Sequence, residues 1–487
     1  MGVIIKQSLT NLITTYFGFA IGAINTLFLF TYFLEQEYYG LVTFLLSAAS
    51  LLWPFMAFGV HSTLIKFFTF YKTKQEKDRL LNLILFLPLI VSGVLGLIGV
   101  LSYSFLIDYF TQGNGLIRPY IWLIFLIAFA TSYFEIFFAW SKLYYKSVFG
   151  NFMKEVFHRF CISLLLLAVY FSWITVHQFI YCIAGVFILR LIAMMMYSFS
   201  LYFPNLDFKF PQNLSPVLKY TSLILIAASV ATALLDLDKV MIEYFMPIEN
   251  VAIYGIAIYI ATVISVPQKA MHQITNPMTA EFLNTKNKKS LEDLYKKSSL
   301  NLLIVSLLIF ILIITNVKQL YELIPDEYEL SILVVLLISL VKLYDNLLGN
   351  NNSILFNSDY YRIVLFIGVL LVLVAFVLNL VFIPSFGIEG AAIASFIAFF
   401  IYNSVKIWLV HKKFSFLPFT SKTWLVLLVG GILSFGFYFW DFDFHPILNI
   451  VFKSMLIGIS YVGLAYFLNF SSEVNSIINK ALRLKTS

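Results

Sequence analysis

Charge is what this sequence has least of. Only 12% of its 487 residues are Asp, Glu, Lys or Arg, against 61% hydrophobic, and the mean hydropathy is +0.91. A chain so composed cannot cover a water-soluble surface, because most of its side chains would have no polar medium to face. Cysteine is nearly absent: Cys161 and Cys182 lie in apolar runs without CxxC or metal-ligand spacing and read as small packing residues. The six histidines are scattered with no HExxH pair, and there is no GxGxxG or Walker sequence, so neither a metal nor any other cofactor is expected. An ATP-driven pump is set aside with them, since no loop is long enough to hold a nucleotide domain.

The short alternating segments of an outer-membrane barrel are missing too. Long continuous apolar runs take their place, such as "LNLILFLPLIVSGVLGLIGVLSYSFLI" and "NLLIVSLLIFILIIT". A helix needs about 20 apolar residues to cross about 30 Å of hydrocarbon, and lipid-exposed backbone must pair with itself. The chain is therefore expected to be an all-α polytopic membrane protein. Spans are expected at about 6–33, 40–66, 80–107, 118–141, 152–171, 177–201, 216–245, 250–276, 298–315, 329–349, 361–382, 388–411, 422–440 and 446–470. They group into an N-terminal six-helix lobe (1–202), a second six-helix lobe (216–411), two additional helices (420–472) and a tail (473–487). The polar connector "FPNLDFKFPQNLSP" separates the two lobes. The first apolar run is longer than a signal-peptide core and lacks a cleavage site, so no cleavable signal is expected.

The basic residues test this count. With Met1 in the cytoplasm, cytoplasmic segments hold 23 of the 32 Lys and Arg, while external ones hold only Arg118, Lys239 and Lys318. One missed span would invert every later loop. Fourteen spans with both ends inside is the consistent solution, and the net charge of +7 then needs no nucleic-acid partner.

The two lobes share weak internal similarity. "YFLEQEYYGLVTFLL" from Tyr32 matches "YFMPIENVAIYGIAI" from Tyr244, and "SKLYYKSV" matches "NSDYYRIV", at offsets of 212 and 216 residues. Parallel repeats of this type place a substrate site between them and work by rocking.

The stretch "PSFGIEGAAIASF", preceded by "NSDYYRIVLFIGVLLVLVAFVLNLVFI", resembles bacterial polysaccharide-transport proteins. These are the O-antigen-type flippases of the multidrug/oligosaccharidyl-lipid/polysaccharide (MOP) exporter superfamily. "KQSLTNLI", "YYGLVTFLLSAASLLWPFMAFGVHSTLIKFF" and "LDLDKVMIEYFMPIENVAIYGIA" are similar as well. The resemblance covers essentially the whole chain and implies a MATE-like fold. It also implies export of an undecaprenyl-type lipid-linked oligosaccharide across the bacterial inner membrane, with a proton or sodium ion as coupling ion or none. Membrane lipids and polysaccharide polymerases or glycosyltransferases are the implied partners, and no enzyme activity is implied. Residues Pro384 to Gly390 are expected to form the tight external turn between the eleventh and twelfth spans.

Functional residues are expected among the ionisable groups at membrane depth, each costing about 2.5 to 3.5 kcal/mol at mid-bilayer unless it faces a cavity or a partner. Asp236, Asp238 and Lys239 either lie inside a seventh helix running to 245 or mark its end at Leu235 in the interface. Asn25 is the neutral counterpart of this acidic stretch in the first repeat. Lys342 and Asp345, spaced i, i+3, are expected to bridge within one helix, and Arg190 and Glu135 occupy similar depths. Lys66 and Lys269 sit near cytoplasmic helix ends, where snorkelling also explains them. Lys453 either snorkels or lines a groove. A pyrophosphate headgroup supplies the chemistry: Asn25, Arg190, Lys239, Lys342, Lys66 and Lys269 are the substrate-binding candidates. Asp236, Asp238, Asp345 and Glu135 are the ion-coupling candidates. Other expectations weighed are a MATE-type drug antiporter, a lipid II flippase and a membrane glycosyltransferase or ligase. The first span offers Asn11 and Asn25 but no carboxylate for the antiporter. The start has only Lys6 where the lipid II flippase has arginine, and the external loops are too short for the transferase.

Overall fold

The computed structural model describes residues 2–104, 115–207, 209–329 and 331–481. Among the described residues the chain is helical and no strand occurs. Eleven helices are long and apolar enough to cross a membrane. Three further crossings raise the number to the expected fourteen. The fifth runs without a break through Ser147–Phe152, a π turn at Met153–Phe157 and His158–Tyr170. The tenth is Ile332–Leu347, followed by the short helix Asn351–Phe356. The 54-residue stretch Tyr361–Phe414 contributes two, because its backbone leaves the helix at Gly387 (φ 60°, ψ −139°).

That break is a reversal. Eight residues of unbroken helix would hold Phe382 and Gly390 about 12 Å apart, yet a Cβ added to Gly390 would collide with the Phe382 carbonyl. The turn is narrower than the sequence suggested: Pro384 lies inside the helix, and Gly387 alone carries the non-helical angles. The cytoplasmic tail expected at 473–487 is described only as far as Ala481, where Ser472–Ala481 forms a short helix; residues 482–487 lie outside the described residues.

Apolar side chains such as Ile90, Leu97, Leu101, Phe366 and Val381 are exposed, which lipid tolerates without cost. Burying them would gain little for the same reason, so helix association depends on close packing and internal hydrogen bonds instead.

The chain forms two compact units, Met1–Gly255 and Ile256–Ser487. In the first, the second span Gln36–Ala57 lies hard against the seventh, Leu214–Phe245. Gly40 abuts the Ile248 carbonyl just beyond that helix, and Gly59 abuts the Thr221 carbonyl. Phe58 and Gly59 are both left-handed (φ 47° and 72°), which breaks the second span before Val60–Phe67. The Thr63 and Thr221 hydroxyls share a hydrogen bond of 2.9 Å across this contact. An aromatic core of Phe134, Phe137, Phe138 and Trp140 packs on Leu80, Leu81 and Ile84. The connector after the sixth span is pinned back on the third: Asp207 takes the Arg79 guanidinium at 2.7 Å, and Asn82 donates to the Asn205 carbonyl at 2.9 Å.

In the second unit, Leu291, Tyr295, Ile354, Leu409 and Phe416 form the core. Gly349 (φ 55°) lets the chain between the two short helices of the tenth crossing press onto Ser298 and Ser299. The Ser299 hydroxyl donates to the Leu347 carbonyl at 2.5 Å. The thirteenth and fourteenth spans, Ser421–Tyr438 and Pro446–Phe467, pack on the long ninth helix Lys288–Tyr321. There Gly430 meets Leu307, and the Tyr461 hydroxyl donates to the Ile304 carbonyl at 2.8 Å.

Candidate functional site

Each unit carries a polar network inside its helices. In the first unit the first and fifth spans each contain a π turn, Asn25–Leu29 and Met153–Phe157. A π turn inserts one extra residue into the helical ladder and re-aims the side chains around it. Here the result is a junction between the two spans. Asn25, buried, donates to the Arg159 carbonyl at 2.8 Å and accepts the Ser163 hydroxyl at 2.5 Å. Gly18 makes room for the Glu155 carbonyl alongside.

From the fifth span Lys154 reaches Glu135 on the fourth at 2.6 Å, while Glu155 stands 3.7 Å from Arg159. Arg190, on the sixth span and only 5% exposed, stacks over Phe134 at 4.3 Å and Phe187 at 4.7 Å. Its Nε has no hydrogen-bond partner, nor do Arg159 Nη1, His158 Nδ1 and His61 Nδ1. Lys142 lies over the Phe138 ring at 3.7 Å, within electrostatic reach of Glu135. Lys142, Lys154, Arg159 and Arg190 thus face two carboxylates, Glu135 and Glu155. The network has an excess of positive charge and donors to spare, which is the composition of an anion site.

Arg159 lies twelve residues into the unbroken fifth crossing from Ser147, about 18 Å along it. Arg190 and Glu135 do come together in this network, joined by Asn25 through Arg159. Missed entirely were Lys154, His158 and the two π turns. The only cue was the clustering of Lys154, Glu155, His158 and Arg159 at the start of an otherwise apolar run.

The seventh helix is continuous from Leu214 to Phe245, which resolves the alternative left open by the sequence. Lys239 and Asp236 pair on it at 2.9 Å, as the i, i+3 spacing suggested, and Asp238 accepts the Tyr254 hydroxyl at 2.7 Å. Glu243 farther along is buried with Oε2 unbonded, a site the sequence did not single out. Lys66 is exposed at its helix end, its ammonium 3.8 Å from the Tyr220 ring centroid. Lys269 is likewise exposed.

In the second unit Lys406 of the twelfth span pairs with Asp345 at 3.7 Å, and Lys342, one turn away on the same helix as Asp345, acts on the same carboxylate electrostatically. Lys342 lies over the Phe399 ring at 5.8 Å. Gln268 donates to the second carboxylate oxygen of Asp345 at 3.0 Å, and Lys406 also donates to Asn352 Oδ1 at 3.0 Å. Asn350 links Ser298 and Thr279, and Asn351 donates to the Tyr295 hydroxyl at 2.6 Å. The run Asn350–Asn352 is therefore structural glue at a helix junction. Asn403, one turn before Lys406, is fully buried with neither amide atom bonded. Beside this network an apolar cavity of about 180 Å³ is lined by Leu340, Val341, Tyr344, Phe396 and Phe400. Lys453 is sealed rather than snorkelling: it pairs with Asp441 at 2.7 Å, and Gln319 donates to the same oxygen at 2.5 Å.

Among the described residues no cluster of His, Cys, Asp and Glu could hold a metal ion.

No family model matches the chain. It is similar to the uncharacterized membrane protein MJ1068 of Methanocaldococcus jannaschii, 22% identical over 478 residues, which is 91% of this chain and 92% of that protein. Among solved structures it resembles the lipid II flippase MurJ in an inward closed conformation. That match has a TM-score of 0.74 at 13% identity and covers 95% of this chain and all of the other. The chain shares its fold with this structure and with transporters of the MOP superfamily. A multidrug resistance MATE transporter of that superfamily in an inward-facing conformation matches 85% of this chain and 95% of its own, with a TM-score of 0.56 at 12% identity. An outward-facing MATE structure matches 84% and 96%, with a TM-score of 0.57 at 13% identity. The tenth of this chain that the flippase match adds over the MATE matches is about the length of two membrane-crossing helices.

Proposed function

We propose that this protein is a flippase that carries undecaprenyl-type lipid-linked oligosaccharide repeat units from the inner to the outer leaflet of the bacterial inner membrane by alternating access. The observation that carries the proposal is the surplus of cations in the first unit. Arg190 holds an unbonded donor deep in a helix that crosses a membrane, where an unanswered charge is expensive, and Arg159 is met by Glu155 only at 3.7 Å. A pyrophosphate linking lipid to glycan brings the missing negative charge and several acceptors, and the amides and hydroxyls around Asn25 and Ser163 suit the polar cargo. Likeness to a lipid II flippase over 95% of the chain supports a lipid-linked substrate.

In this proposal both termini are cytoplasmic and the chain works as two six-helix lobes, 1–202 and 216–411, with two helices added. Lys239 joins Arg190 in neutralising the headgroup. Asp236, Asp238, Asp345 and Glu135 change partners during the cycle, with or without a coupling proton or sodium ion. Polysaccharide polymerases and glycosyltransferases would act on either side of this step.

The experiment is removal of the chain from its host. Loss of surface polysaccharide, with its lipid-linked precursor held on the cytoplasmic side, is the expected outcome. Unchanged polysaccharide with raised sensitivity to cationic drugs would replace the proposal with a MATE-type antiporter, a reading the MATE fold matches also support. Accumulation of lipid II in place of a polysaccharide precursor would make the chain a lipid II flippase.

A further inference from the structure

Lys406 is surrounded as a bound cation is surrounded. Only 1% exposed, its ammonium lies 3.0 Å from Asn352 Oδ1, 3.7 Å from Asp345 Oδ1 and 4.4 Å from the Tyr402 ring centroid. The carboxylate is held in place from its other side by Gln268, at 3.0 Å. Asn403, on the same helix face one turn earlier, contributes a buried amide whose oxygen and nitrogen bond to nothing. The side chain of Asp345 is 28% exposed. An anionic oxygen, an amide oxygen and a spare amide are what a small monovalent cation needs. A lysine ammonium occupies the centre of that set.

We propose that Lys406 is a tethered cation. Its ammonium fills a monovalent-cation site in the second unit, so that in this conformation Asp345 requires no ion from solution. The proposal rests on the second unit alone and not on the identity of the transported substrate. It makes a specific demand: removing the ammonium while keeping the carboxylate must create a site for a free ion, and removing both must abolish it.

The test compares the purified full-length protein with Lys406→Met and with the double variant Lys406→Met/Asp345→Asn. Thermal unfolding is followed in choline chloride and in lithium, sodium or potassium chloride at constant ionic strength. The expected result is a midpoint that is lowered in choline for Lys406→Met and rises saturably with one of the small cations. That rise should exceed any shown by the wild-type protein and be missing from the double variant. A Lys406→Met protein that responds to cations no more than wild type overturns the proposal, as does a response that survives in the double variant. Should Lys406→Met be recovered as a single species only when extracted in a small-cation salt, that recovery supports the proposal. Its loss in every salt, whether or not the double variant is recovered, overturns it.

Discussion

Asn25 donates to the main-chain carbonyl of Arg159 at 2.8 Å, tying the π turn of the first span to the second residue after the π turn of the fifth. The bond fixes where the Arg159 backbone sits, and with it the direction of the guanidinium, which lies 5.1 Å from the Phe19 ring centroid. Asn25→Leu keeps the volume and removes both bonds, leaving the Arg159 carbonyl and the Ser163 hydroxyl bonded only to each other, at 3.0 Å. Losing a hydrogen bond whose remaining groups keep a partner costs about 0.5–1.5 kcal/mol, which a protein of this size should survive. The expected outcome is normal insertion, a lowered melting midpoint and reduced glycan export, measured by surface polysaccharide in cells carrying the variant. Unaltered export would remove Asn25 from the site.

Arg190 offers a planar guanidinium stacked on Phe134 and Phe187 with its Nε unbonded. Arg190→Met should abolish export while the protein still reaches the membrane. Arg190→Lys keeps the charge but forfeits stacking and forked donation, so partial activity is expected from it. One charge-assisted hydrogen bond is worth about 1.5–3 kcal/mol, roughly tenfold to hundredfold in affinity. Binding of a soluble pyrophosphate analogue to the purified variants measures that difference directly. Export by Arg190→Met at the wild-type level would exclude the residue from substrate contact.

Outside the membrane, the hydrogen bond from Arg79 holds the Asp207 carboxyl below its ordinary range, helped by the Lys209 main-chain amide. A carboxyl whose folded-state value is depressed stabilises the fold above its unfolded value of about 3.9. That stabilisation disappears as pH falls through the folded value. The connector should therefore stay docked on the third span at neutral pH and loosen only in acid. Protease cleavage within 202–213 should rise below about pH 4 in the wild-type protein. In Asp207→Asn the same cleavage should already be raised at pH 7 and vary little on acidification. Equal cleavage of both proteins across this range would show that the pair does not hold the connector.

Composition and run length were enough to read the solvent, the helices and the fourteen crossings, because a bilayer admits few alternatives to a helix about 20 residues long. The i, i+3 pair of Asp236 and Lys239 was legible for the same local reason. The partner of Asp345 was not. Within one helix Lys342 is its visible neighbour, whereas Lys406 arrives from 61 residues away by tertiary packing. The polar stripe that Lys406 forms with Tyr402 and Asn403 was the available signal. The π turns left no such trace, since nothing in "NTLFL" or "MKEVF" departs from ordinary helix formers. The π turn of the fifth span lies where that span meets the first closely, at Glu155 and Gly18.

The reversal between the eleventh and twelfth spans separates the roles of proline and glycine that the sequence had joined. Gly387 adopts φ 60° and ψ −139°, a region open to glycine and closed to residues with a Cβ, at a cost of about 1–3 kcal/mol for a substituted side chain. Pro384 lies in the helix before the break and its removal restores a donor. Gly387→Val should therefore lower the melting midpoint clearly, and Pro384→Ala should leave it unchanged or raise it. Gly390→Val should be at least as damaging as Gly387→Val, because its side chain would run into the Phe382 carbonyl rather than merely strain the backbone. Unfolding midpoints of the three purified variants decide the order. If Pro384→Ala proved the most destabilised, the turn would be governed by proline after all, and Gly387 would be a passenger in it.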